Sequence, residues 1–225
     1  SIWANCMWLK GVVMKAHYNG LIPRNPFIQF HISPNVKERE YLTEDELKAV
    51  MTHEFADSKL AYIRDIFIFA SFTALSFVDI QELTNDNIVE VNGEKWILSK
   101  RHKTKVAFQV KLLDIPLQIV ERYRPMQKDN RIFPDLNYWS ICKPLKRMIR
   151  ECGITKSISF HCSRHGFATL ALSKGMPIES VSRVLGHTNI VTTQLYAKIT
   201  TQKLDNDLTM FGDKLSKTFN GITMS

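Results

Sequence analysis

The stretch Asn87-Ile88-Val89-Glu90-Val91-Asn92-Gly93-Glu94-Lys95-Trp96-Ile97-Leu98-Ser99 holds two short β-prone runs joined by Asn92-Gly93. Asn-Gly supplies the positive φ values of a tight two-residue turn, so this segment is expected to be a hairpin. Beyond it, Val106, Phe108, Val110 and Leu112 alternate with Ala107, Gln109 and Lys111, the period of a half-buried strand. A third strand is therefore expected over residues 106–113, with residues 101–105 as a basic hairpin tip. Upstream, residues 60–75 are apolar nearly all round, which places a helix at the centre of a core. A short helix follows at about 78–83. Thr43 with Glu46 forms a capping box, so an earlier helix starts at Glu44. From Pro116 onward the pattern is helical: 117–127, 138–152 with Pro144 as a kink or fresh start, 162–174, 178–185, 191–199 and 202–219. The expected fold class is α+β, mainly helical, with a small three-stranded antiparallel sheet.

Trp3, Met7, Gly11 and Met14 have helical spacing, and Asn19-Gly20 is a stop signal. Pro23, Asn25, Pro26 and a polar run to Glu40 then read as a linker. The expected division is residues 1–36 and residues 37–225, the second being long enough for one good core. The chain has 30 basic and 22 acidic residues, a formal charge of +8. Residues 95–156 hold 15 Lys and Arg against 5 Asp and Glu, a surplus larger than that of the whole chain. Such a concentrated field suits a polyanion, and phosphates in particular.

Several classes lose support. Cys6, Cys142, Cys152 and Cys162 form no CxxC pair, so neither a disulfide framework nor a zinc module is expected, and the thiols read as reduced. The most apolar run, 66–75, is half the roughly 20 residues a membrane span needs. No secretory signal is visible in residues 1–15, and Ser1 in place of an initiator Met points to a trimmed chain.

Cleaving DNA without a metal takes a nucleophile, cations around a phosphorane that gains charge, and an acid for the departing 5′ oxygen. His161, Arg164 and His165 fall at i, i+3 and i+4 and would share one helix face. Gly186-His187 follows Val181, Val184 and Leu185 and reads as a helix C-cap that fixes His187 at a corner. Nine residues later comes Tyr196. Singly, these residues also fit a solvated basic helix end and an ordinary half-buried tyrosine.

The ordered set His161-x-x-Arg164, Leu185-Gly186-His187 and Tyr196 resembles the C-terminal signature of the tyrosine recombinase (phage integrase) family. Arg101-His102-Lys103-Thr104 resembles that family's β2–β3 turn. The resemblance implies Tyr196 as nucleophile, Arg164, His161 and His187 around the phosphate, and Lys103 as the acid. Arg101, Lys103, Lys105 and His165 are then expected at DNA. The family's early arginine, three residues before an acidic side chain, falls in Thr73-Ala74-Leu75-Ser76-Phe77-Val78-Asp79, where Ser76 stands instead and Asp79 keeps the acidic position. Serine cannot offset phosphorane charge, so Arg101 is expected to supply the missing cation. Ser76 in place of arginine resembles integrases of Bacteroides-type conjugative transposons.

The resemblance further implies a covalent 3′-phosphotyrosine intermediate, no cofactor or metal, double-stranded DNA as partner and a homo-tetramer on that DNA. The tetramer would exchange C-terminal tails through Leu204, Leu208, Phe211 and Leu215. Accessory DNA-bending proteins and a bacterial cytoplasmic location are also implied. Residues 1–36 become the end of a core-binding (SAM-like) domain and linker, and residues 37–225 a catalytic domain with a tail helix. Two other functions fit less of the sequence: a helix-turn-helix-like DNA-binding module over 178–196, which leaves the hairpin lysine unexplained, and a type IB topoisomerase. A metal site from His161, Cys162, His165 and His187, or a hydrolytic Ser163, has weaker support still.

Overall fold

The computed structural model describes residues 2–30, 40–102, 105–127, 129–197 and 201–218. Two compact units divide the chain at Arg39 and Glu40. The first contains α1 (Ile2–Tyr18), which stops at Gly20 in the left-handed region, φ 71°. The Leu21 amide there donates to the Ala16 carbonyl, closing the last turn.

The second unit begins with α2 (Glu44–Thr52), capped reciprocally by Thr43 and Glu46. Asp57 caps α3 (Ser58–Thr73), which is buried along almost its whole length. Phe67 and Phe69 on α3 meet Phe160 and Phe133 edge-on. Rings of this size contribute about 1.5–3 kcal/mol each on burial, so α3 is the axis on which the later helices pack. One acid sits inside this helix. Asp65 accepts bonds from Arg64, Arg122 and the Tyr123 hydroxyl, which explains how a carboxylate is tolerated there.

After α4 (Phe77–Gln81), β1 (Ile88–Val91), β2 (Glu94–Lys100) and β3 (Ala107–Lys111) form an antiparallel sheet in the order β1-β2-β3. Val91 pairs with Glu94 around the Asn92-Gly93 turn, where both residues have positive φ. Phe108 and Val110 point into the core, as the alternation required. There follow α5 (Asp114–Tyr123), extended by a 3₁₀ turn, and α6 (Tyr138–Glu151), which runs through Pro144 unbroken. Then come α7 (His161–Ser173), α8 (Ile178–Leu185), α9 (Val191–Gln194) and α10 (Thr201–Thr218).

The expected helix over 191–199 is the clearest difference. α9 is a single turn that ends before Tyr196. Its two central residues are β-branched threonines, poor helix formers, and Thr193 spends its side chain on a distant partner. The starting points of the α5 and α3 helices also lie a few residues earlier than expected, because Asp57 and the Leu113-Asp114 junction provide the actual starts.

A second, smaller apolar cluster of Ala74, Ala168, Leu172, Val181 and Leu185 joins α7 to α8. Tyr196 packs against its edge. By contrast, Leu204, Leu208, Phe211 and Leu215 on α10 remain exposed. None of the described helices is long and apolar enough to cross a membrane.

Candidate active site

Arg164 lies one turn into α7 and reaches across to two chain ends. One terminal nitrogen donates to the Ala74 carbonyl at 3.0 Å and the other to the Leu185 carbonyl. Ala74 presents its carbonyl because it ends α3 in the left-handed conformation, φ 56°. Each terminal guanidinium nitrogen has two hydrogens, so each keeps one for an incoming acceptor. Burial lowers the Arg164 pKa to about 10, repulsion from Arg101 adds to the shift, and Asp79 and Tyr196 oppose it. The group remains a cation at neutral pH.

Ser76 is fully engaged in holding Asp79. Its hydroxyl donates to the Asp79 carboxylate at 2.7 Å, its amide does so at 3.2 Å, and the pair forms the capping box of α4. The same carboxylate accepts the Arg101 guanidinium at 2.7 Å and the His102 amide at 3.0 Å. Burial works against ionisation of Asp79, but the His102 amide, Arg101 and Ser76 together outweigh it and hold the carboxyl below its ordinary range.

Arg101 therefore enters the corner from beneath. It is 5% exposed, donates also to the Val184 carbonyl, and lies 4.0 Å over the Phe108 ring. Burial lowers its pKa, and the Asp79 pair restrains the shift. Its buried Nε has no hydrogen-bond partner among the described residues. Gly186 makes this approach feasible. A Cβ there would stand 3.0 Å from the Arg101 Nε, and the φ of 64° already favours glycine.

The left-handed Gly186 turns the chain so that His187 faces the same corner, with its amide bonded to the Ser182 carbonyl. Its Nδ1 is 2.9 Å from the hydroxyl of Thr193, which is wholly buried. Burial lowers the His187 pKa to about 4, reinforced by the charges of Arg164, Arg101 and His161, so the ring is neutral at pH 7. Tyr196 is half-buried. Its ring centroid is 5.1 Å from that of His165, and the His165 ring is 4.6 Å edge-on from that of His161. Tyrosine, both α7 histidines, Arg164, Arg101 and His187 thus meet at one corner.

The remaining expected residues divide. Lys103 lies outside the described residues. Lys105 is exposed at the hairpin tip, with φ 55° and its amide bonded to the Arg101 carbonyl. Arg101 and His165, both expected at DNA, are buried. Cys162 turns into the main core beside Ser159, away from the histidines, and no described group of His, Cys, Asp or Glu could hold a metal. The Ser163 hydroxyl donates to the Phe160 carbonyl inside the fold, a poor setting for a nucleophile. A helix-turn-helix fails on length: the four residues of α9 span about 6 Å, too little to lie along a major groove.

Residues 40–203 match the family model described as "Phage integrase family". The chain belongs to the phage integrase family. It is 32% identical over 177 residues to tyrosine recombinase XerA of Pyrococcus horikoshii, covering 72% of this chain and 58% of that one. It is 26% identical over 200 residues to tyrosine recombinase XerC of Lactobacillus leichmannii, covering 82% and 67%. The chain thus spans about three-fifths to two-thirds of these curated relatives. Among solved structures it resembles the Tn1549 transposon integrase in complex with a circular intermediate DNA, with TM-score 0.74 and 17% identity over 90% of this chain and 76% of that one. It also resembles XerA recombinase, with TM-score 0.61 and 21% identity over 88% and 72%. These two likenesses concern the fold.

Two residues of this integrase-family corner escaped notice in the sequence. Asp79 appeared only as an alignment mark, yet it ties Ser76, Arg101 and His102 together. Thr193 appeared only as part of a helix. The available signal was its spacing: it lies six residues after His187 and three before Tyr196.

Proposed function

We propose that this chain is the catalytic part of a site-specific DNA recombinase. Tyr196 attacks a phosphorus of duplex DNA, losing its phenolic proton as the new bond forms, and the 5′ oxygen leaves with a proton from Lys103. The phosphodiester energy is kept in a 3′-phosphotyrosine, so a 5′ hydroxyl from a partner duplex reverses the step and completes strand exchange. Neither nucleotide nor metal is needed. Arg164, His161 and His187 surround the phosphorane, and Arg101 adds, from below, the positive charge that Ser76 lacks. Lys105 meets neighbouring backbone phosphate, while buried His165 supports the Tyr196 ring.

One observation carries this reading. The Tyr196 ring stacks on the His165–His161 pair of the helix that also carries Arg164. The relatives are named tyrosine recombinases, and the Tn1549 integrase was solved with DNA. Ser76 in the arginine position supports the narrower assignment to integrases of Bacteroides-type conjugative transposons. The uncovered α10 stripe supports tail exchange in a homo-tetramer on DNA. The proposed setting is the bacterial cytoplasm, with accessory DNA-bending proteins, and residues 1–36 belong to the end of a core-binding domain.

Nicked duplexes of randomised sequence trap such an enzyme, because the short strand beyond the cut diffuses away. Wild type should give an adduct that survives denaturing electrophoresis, and Tyr196→Phe should reduce it at least about a thousandfold. An undiminished adduct in Tyr196→Phe would overturn the assignment of the nucleophile. Arg101→Ala should also cleave poorly. If it cleaves like the parent while Lys103→Ala does not, Arg101 is not the compensating cation.

A further inference from the structure

Thr193 touches both halves of the proposed chemistry. Its hydroxyl is 2.9 Å from the His187 Nδ1, and its carbonyl accepts the Tyr196 amide at 3.0 Å. The residue is fully buried, so both contacts are shielded from water.

Donor satisfaction decides the direction of the first bond. A neutral imidazole carries one ring proton, and a threonine hydroxyl can donate or accept. Among the described residues, Nδ1 is the only acceptor within reach of the Thr193 hydroxyl hydrogen. If Nδ1 held the ring proton, that buried hydroxyl hydrogen would have no acceptor, a costly arrangement. The hydroxyl therefore donates to Nδ1, and the ring proton resides on Nε2. That is the tautomer a phosphoryl oxygen requires, since an unprotonated Nε2 would turn a lone pair toward an anion.

We propose that Thr193 is a positioning residue that keeps the His187 proton on Nε2, ready to donate to the scissile phosphate, and holds the Tyr196 backbone to the same corner. The charged and titratable groups facing this ring are Arg164 and His161 from α7 and Arg101 from the end of β2. Their positive charge suppresses protonation of the ring, so the hydroxyl has a neutral imidazole to orient. A change in the Thr193 side chain removes the first contact and leaves the second, which belongs to the backbone.

The role presupposes the recombinase reading, but the hydrogen bond can be measured without it. Protein labelled with ¹⁵N-histidine reports which ring nitrogen is protonated, with the His187 signals assigned from a His187→Gln sample. At pH 7.5, wild type and Thr193→Ser should show a protonated Nε2 and an unprotonated Nδ1, whereas Thr193→Val should show mixed tautomers. In the nicked-duplex assay, Thr193→Val should slow adduct formation about tenfold, with Thr193→Ser within about twofold of wild type. The proposal is wrong if Thr193→Val leaves both His187 nitrogens unchanged. It is equally wrong if Thr193→Ser loses as much rate as Thr193→Val. If wild type forms no adduct while the nitrogen signals respond as expected, the recombinase reading falls and the tautomer assignment stands.

Discussion

The corner between α7 and α8 and the tail helix α10 carry similar apolar patterns with opposite outcomes. Ala168, Leu172, Val181 and Leu185 find each other and are at most 7% exposed, whereas Leu204, Leu208, Phe211 and Leu215 are 40–59% exposed. Around the first set the fold can bury Arg101, Arg164 and Asp79, because each charged group there finds a carbonyl or an opposite charge. The tail has no such closed environment. A helix whose apolar stripe lacks a partner in its own chain adds little to that chain's stability, so the corner should govern folding and the tail should govern assembly.

Arg101→Ala offers the largest contrast. It leaves the buried Asp79 carboxylate without its cation, and the expected loss is about 3–5 kcal/mol in urea unfolding. A loss as small as that of a surface substitution would mean the corner does not depend on this pair. A smaller effect should appear with pH. The His187 pKa is about 4 in the folded protein against an ordinary 6.5, so between these values the unfolded chain binds more protons. Stability should be full above about pH 6.5 and decline as pH falls toward 4, by on the order of 2 kcal/mol. His187→Asn should flatten that part of the profile, and an unchanged slope would place the titration elsewhere. The smallest folding effect should come from the tail. Removing residues 202–225 should change unfolding of the remainder by less than about 0.5 kcal/mol yet abolish tetramers on DNA in sedimentation experiments. If the tail proves as costly to fold as the corner, the contrast fails.

Much of this arrangement was legible in the sequence where the relevant bonds are short-range. Thr43 and Glu46 cap one another across three residues, Asn92-Gly93 closes its own hairpin, and Gly186 ends α8 as its position foretold. The set of His161, Arg164, His187 and Tyr196 was also readable, because its spacing is characteristic. The end of α9 was not, since helical periodicity over 191–199 says nothing about a threonine side chain diverted to a histidine.

Sequence alone determined the helices, the hairpin, the concentration of positive charge and the identity of the chemically able side chains. Each depends on bonds between near neighbours or on counting. Tertiary structure alone decided that Arg101 lies beneath the corner rather than on its surface, that Ser76 serves Asp79, and that Thr193 meets His187. Arg101 finds Asp79 22 residues away and Val184 83 residues away. Pairings at such separations are selected only once the core has closed the intervening chain and excluded water from the competing partners.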